Sequence, residues 1–93
     1  MKHYIIVKFK EDFDYRAYIP DIREIFNQTL KIDGISGVSL KRSNSDRANR
    51  YDVMIEITME KSALPAYDQS APHLLWKEKY GGYIDKKAIF DCE

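Results

Sequence analysis

Tyr51-Asp52-Val53-Met54-Ile55-Glu56-Ile57-Thr58-Met59 is the stretch on which the fold turns. Val53, Ile55, Ile57 and Met59 alternate with Asp52, Met54, Glu56 and Thr58, the two-residue period of a strand that buries one face. Its length and β-branched content make it a long or central strand. Working outward, Lys2 to Lys10 alternates in the same way. His3, Ile5, Val7 and Phe9 share one side there, and Tyr4, Ile6, Lys8 and Lys10 the other. Lys86 to Cys92 sets Ala88, Phe90 and Cys92 against Lys87, Ile89 and Asp91, and Gly37 opens a shorter strand over Val38 to Arg42.

Between these strands the period changes. Tyr15, Tyr18, Ile19, Ile22, Ile25, Phe26 and Leu30 recur at helical steps, with Arg16, Asp21, Arg23 and Glu24 outward. Asp14 is placed to cap the first turn and Gly34 to close the helix in a left-handed conformation. Pro20 lacks a backbone donor, so the regular helix starts there or follows a separate turn at Tyr15 to Ile19. Ser62 is placed to cap a short helix through Tyr67 that tolerates Pro65. Pro72 begins another, carrying Leu74, Leu75, Trp76 and Tyr80, and Gly81-Gly82 stops it.

The order strand, helix, strand, strand, helix, strand closes most simply as an α+β domain, a ferredoxin-like βαββαβ antiparallel sheet with helices on one face. Tyr4, Ile6, Met54, Ala88 and Phe90 then fall on the uncovered face, too much apolar surface to leave in water. A homodimer with the two sheets packed face to face, a dimeric α+β barrel, resolves this.

The 93 residues fit a single domain over 1–93, small enough to favour a partner. Lys plus Arg and Asp plus Glu both number 15, so no net field draws the chain to nucleic acid or an anionic membrane. Cys92 alone excludes an internal disulfide and suits a reducing, cytoplasmic setting. The apolar run His3 to Phe9 is too short for a membrane span and lacks a signal-peptide pattern. The arginines of the Arg42 to Arg50 loop read as a solvated hairpin. His3 and His73 have no Cys or carboxylate at ligand spacing, so no metal is expected.

Tyr67, followed six residues later by His73, carries the strongest chemical signal, with His3 at the far end of the chain. An imidazole beside a phenol can take a proton alpha to a carbonyl while the hydroxyl donates to the developing enolate. No cofactor is needed. His73 is the candidate base, Tyr67 its electrophilic partner and His3 an orienting or shuttling group. Ile5, Val7, Ile55, Ile57, Trp76 and the helix up to Phe26 would enclose a small apolar ligand. The structural alternative is equally concrete: Tyr67 covers the core, His73 ties down its turn and His3 is a structural hydrogen-bonder.

In several stretches the chain resembles the stress-responsive α/β-barrel domain (Dabb) family. They are Lys2-His3 leading into Ile5 to Lys10 and Glu11-Asp12, Tyr51-Asp52, Ala66-Tyr67 through Pro72-His73, and Ile89-Phe90-Asp91. The resemblance spans the chain and implies a dimeric α+β barrel. At the Tyr and His positions it also resembles the plant polyketide cyclase (olivetolic acid cyclase-like) branch, which implies catalytic roles for Tyr67 and His73 with His3 nearby. Ser70-Ala71-Pro72-His73 stands where the family commonly has His-Pro-x-His, and Lys87 stands at an apolar position of that branch. Two functions follow: a cofactor-independent cyclase, lyase or isomerase, or a non-catalytic stress-response dimer.

Overall fold

The computed structural model describes residues 1–93. Four strands, β1 (Lys2–Phe9), β2 (Ile35–Arg42), β3 (Val53–Met59) and β4 (Ile84–Cys92), form one antiparallel sheet in the order β2-β3-β1-β4. The helices are α1 (Ile19–Asn27), α2 (Leu64–Asp68) and α3 (Ala71–Tyr80). This is the α+β arrangement expected from the order of elements. The strict alternation of β1 and β3 is matched by strictly alternating burial. Ile5, Val7 and Phe9 join Val53, Ile55, Ile57 and Met59 beneath the helices, where Ile22, Ile25, Phe26, Trp76 and Tyr80 complete the core.

Several local expectations change. β2 starts at Ile35 rather than Val38, with an irregularity in its pairing to β3 between Ile35 and Gly37. The first helical segment divides as Pro20 suggests: Tyr15–Tyr18 is a 3₁₀ turn and α1 begins at Ile19. Past Asn27 the chain tightens into 3₁₀ over Gln28–Lys31, which turns Leu30 outward (45% exposed) and buries Thr29 in its place. The Thr29 hydroxyl donates to the Phe26 carbonyl at 2.6 Å, so the buried polar group is satisfied. Neither Asp14 nor Ser62 caps a helix through its side chain. Gly34 does take a left-handed conformation (φ 91°), in the turn entering β2 instead of at the end of α1. A Cβ there would lie 2.9 Å from that of Ala63.

Helices α1 and α3 are tied by chemistry as well as packing. The Tyr80 hydroxyl donates to the Asp21 carboxylate, which also pairs with Lys79 at 2.8 Å. Those two hydrogen bonds, Lys79 first, hold the Asp21 carboxyl below its usual range. Burial, reinforced by the Asp21 carboxylate, pushes the Tyr80 phenol up.

The other sheet face is bare. Tyr4, Ile6, Met54 and Ala88 are half-buried there, and Phe90 is 59% exposed. The Tyr4 and Phe90 rings face each other across β1 and β4 at 6.4 Å. Beside them Lys2 pairs with Glu56 at 3.3 Å and donates to Thr58 at 2.8 Å, so the patch has a polar margin.

Candidate functional site

One serine brings Tyr67 and His73 together. Ser70 lies between α2 and α3; its hydroxyl donates to the Tyr67 carbonyl at 2.7 Å and accepts from the His73 amide at 3.3 Å. It is the N-cap of α3, and Pro72 sits in the first turn, where its missing donor costs nothing. The two rings meet at 4.7 Å between centroids, tilted by 43°. His73 Nδ1 lies 2.9 Å from the Asp68 carbonyl. Because a carbonyl only accepts, Nδ1 carries the hydrogen, and in the neutral ring Nε2 holds the free lone pair.

His3 arrives from the sheet. It is on the helix-facing side of β1, 6% exposed, with its ring edge against Tyr67 at 5.3 Å. Directly across the ladder from it on β4 is Asp91, whose carboxylate lies 2.5 Å from His3 Nδ1. The carboxylate accepts from Nδ1–H, which again leaves Nε2 as the free nitrogen. Two imidazoles therefore flank one phenol, each with its Nδ1 engaged.

The Tyr67 hydroxyl between them is buried and hydrogen-bonded to no protein group. Burial, with a smaller contribution from the nearby Asp68 charge, pushes its pKa well above the usual phenol range. It remains a neutral hydrogen-bond donor at any ordinary pH.

Beside these rings runs a groove of about 180 Å³ between β4 and the α2–α3 corner. His3, Tyr67 and His73 line it, Ile5 and Trp76 form apolar wall, and Ile89 borders it from β4. It exists because the helices leave the edge strand uncovered: Lys87, Ile89 and Asp91, on the helix side of β4, are exposed while Ile5 and Val7 next to them are buried.

The structure places His3, Tyr67 and His73 together, along with Ile5 and Trp76. Val7, Phe26, Ile55 and Ile57, expected to line the chamber, do not line this groove; at 0–1% exposure they are sealed in the core. The space between sheet and helices is filled by side chains, and the opening lies at the sheet edge instead. Sequence reading missed Asp91 as a partner and Lys77 as a lining residue. Asp91 could have been found from the phase of β4, which puts it on the His3 side of the sheet. A wider depression of about 730 Å³, where β1 and β2 begin and β3 ends, has a mostly polar lining, including Asp33, Glu60 and Lys61, and none of this chemistry. No three His, Cys, Asp or Glu side chains converge on a point that could hold a metal ion.

No family model and no curated protein matches the chain. Solved structures do. The Arabidopsis thaliana protein At3g17210 is 21% identical, with a TM-score of 0.79 over 99% of this chain and 92% of its own. The hydroxynitrile lyase from Passiflora edulis is 15% identical, with a TM-score of 0.75 over 96% of this chain and 87% of its own. A Dabb family protein with a ferredoxin-like fold from Mesorhizobium loti is 13% identical, with a TM-score of 0.64 over 99% of this chain and 93% of its own. Two further bacterial matches are described as dimeric. At these identities the likeness is one of fold: the chain has the ferredoxin-like α+β fold found in a Dabb family protein. No helix is long and apolar enough to cross a membrane.

Proposed function

We propose that the chain is a Dabb-type homodimer that binds a small carbonyl compound in the β4 groove and moves a proton on it without a cofactor, as a lyase, isomerase or cyclase does. The buried Tyr67 hydroxyl, unpartnered between two imidazoles at the wall of an open groove, carries this reading. An unsatisfied buried donor is costly to keep, and a ligand oxygen would satisfy it. His73 Nε2 takes the proton from the carbon next to the carbonyl, and Tyr67 donates to the oxygen as charge grows there. His3, steadied by Asp91, presents a second ring nitrogen that can relay the proton. The Tyr67 hydroxyl is sealed at rest, so a ligand oxygen reaches it as the half-buried His73 ring pivots about its Nδ1, which stays bonded to the Asp68 carbonyl and keeps Nε2 as the base. Such side-chain motion is fast compared with catalysis.

The dimer follows from the bare sheet face. Burying about 800 Å² per subunit is ordinary for a stable pair, and Tyr4, Ile6, Met54, Ala88 and Phe90 offer an apolar centre with a polar margin. The dimeric description of two structures of this fold supports it.

Deuterium uptake at the alpha carbon of small ketones, followed by NMR in D₂O, tests the chemistry, and the likeness in fold to a hydroxynitrile lyase makes hydroxynitrile cleavage the next assay. The parent protein should speed exchange above the buffer rate, and His73→Ala should lower that rate by about 100-fold or more. Exchange no faster than buffer across the panel would favour the second reading, a non-catalytic dimer in which the His73 bond to Asp68 only fixes the turn.

A further inference from the structure

The groove that holds the two histidines also carries two cations with nothing to hold. Lys77 stands one helical turn past His73 on α3, and Lys87 stands on the helix side of β4, opposite Val7. Both line the groove and both are exposed. Neither forms an ion pair; of the ten lysines only Lys2 and Lys79 do, and what sets Lys77 and Lys87 apart is that they share one groove. Of the carboxylates nearby, Asp91 is engaged by His3, and Asp68 is the one that lines the groove. Of the side chains that line the groove, two lysines thus stand against the single carboxylate of Asp68, while Asp91, outside the lining, keeps its charge in its hydrogen bond to His3, so an ammonium group is left to meet a carboxylate on a ligand. Along the ladder Ile5 and Ile89 separate Lys87 from His3 and the Tyr67 ring against it, an apolar step that would meet a short carbon chain. The volume of about 180 Å³ is room for about six water-sized groups.

We propose that the ligand is a small oxo acid, its carbonyl at Tyr67 and its carboxylate met by Lys77 and Lys87. This rests on the groove being the ligand site, and it replaces the purely apolar ligand expected from a closed chamber. The lysines act on recognition and not on the proton: they hold the far end of the molecule and so fix which carbon faces His73. Because both ammonium groups are exposed, their pull is screened by salt.

The matched probes are 4-oxopentanoate and 4-oxopentanamide, nearly equal in shape and different in charge. Each is titrated into the intact protein while the NMR signals of His3, Tyr67 and His73 report occupancy of the groove. The acid should bind about tenfold more tightly than the amide at low salt, as two exposed charge contacts allow, and the gap should narrow as salt is added. In the Lys77→Gln/Lys87→Gln double variant the acid should fall to the affinity of the amide, with an unchanged melting temperature showing that the fold is intact, and a preference for the acid that survives would overturn the role of the lysines. Equal affinity of acid and amide in the parent protein, with the site signals moving, would overturn the oxo-acid assignment and leave the groove as a ligand site. If neither probe moves those signals, the groove reading fails and the assignment fails with it.

Discussion

Replacing Tyr67 by Phe should make this protein more stable and less able to bind. The hydroxyl is buried, and no protein group accepts from it or donates to it. Leaving a donor in that state costs about 1–3 kcal/mol relative to an apolar group of the same shape. The substitution removes that cost, keeps the ring against His3 and His73, and leaves a void of only about 10 Å³, worth about 0.2 kcal/mol. The net expectation is a gain of about 1 kcal/mol, or a rise of about 4–8 °C in the melting temperature of a domain this size. Urea and thermal melts of the parent and Tyr67→Phe proteins, at equal protomer concentration so that dimerisation does not shift the comparison, measure it directly. In parallel, the variant should lose most of its affinity for a ketone probe. A Tyr67→Phe protein destabilised by about 1 kcal/mol or more would show that the hydroxyl already has a partner in the folded state. The account of the site as a donor awaiting a ligand would then be wrong.

Asp91→Ala should cost about 1 kcal/mol, because it strands the buried His3 Nδ1–H, and should slow proton exchange by misorienting the ring; unchanged melts and unchanged exchange would show the pair to be idle. The Asp21 carboxyl is held below its unfolded value near pH 3.9, so its contribution is full above that pH and fades as acid takes the pH through the lower folded value. Parent and Asp21→Asn proteins should therefore differ most in stability above about pH 4 and converge below it, and parallel stability curves down to pH 2 would sink the assignment. Phe90→Lys, the most exposed apolar side chain of the bare sheet face, on its β4 edge, should turn a dimer into a monomer in sedimentation runs at about 10 μM. A parent protein that already sediments as a monomer would end the sheet-to-sheet proposal.

How far the sequence carries depends on the distance over which each feature is decided. The faces of β1 and β3 were legible because alternation is local: one burial pattern accounts for Ile5, Val7, Ile55 and Ile57. The meeting of Tyr67 and His73 was also within reach, since a single capping serine joins their two short helices. The outward turn of Leu30 was not, because it comes from a tightening of the backbone that no helical wheel contains. Nor was the position of the opening. That Val7, Phe26, Ile55 and Ile57 close up while Ile5 and Trp76 stay at the wall depends on how far the helices reach across the sheet. The link from His3 to Asp91 joins opposite ends of the chain: the phase of β4 puts Asp91 on the His3 side of the sheet, but setting it directly across from His3 takes the register of β1 against β4.

That register bears on which changes of length this chain can survive. β4 gives Ala88, Phe90 and Cys92 to one side of the sheet and Lys87, Ile89 and Asp91 to the other, so every second residue belongs to a different surface. A slip of one place along β1 would put Phe90 where Asp91 meets His3 and expose an acid on the apolar face. A single-residue insertion or deletion that shifted this strand would therefore damage both surfaces at once, whereas a change of two would preserve the phase. The place able to absorb an odd residue is Asp85, which β4 carries unpaired opposite the step from Lys8 to Phe9. Descendants of this sequence should accordingly vary freely in the Ser43 to Arg50 loop and hold their length almost fixed from Lys86 to Cys92.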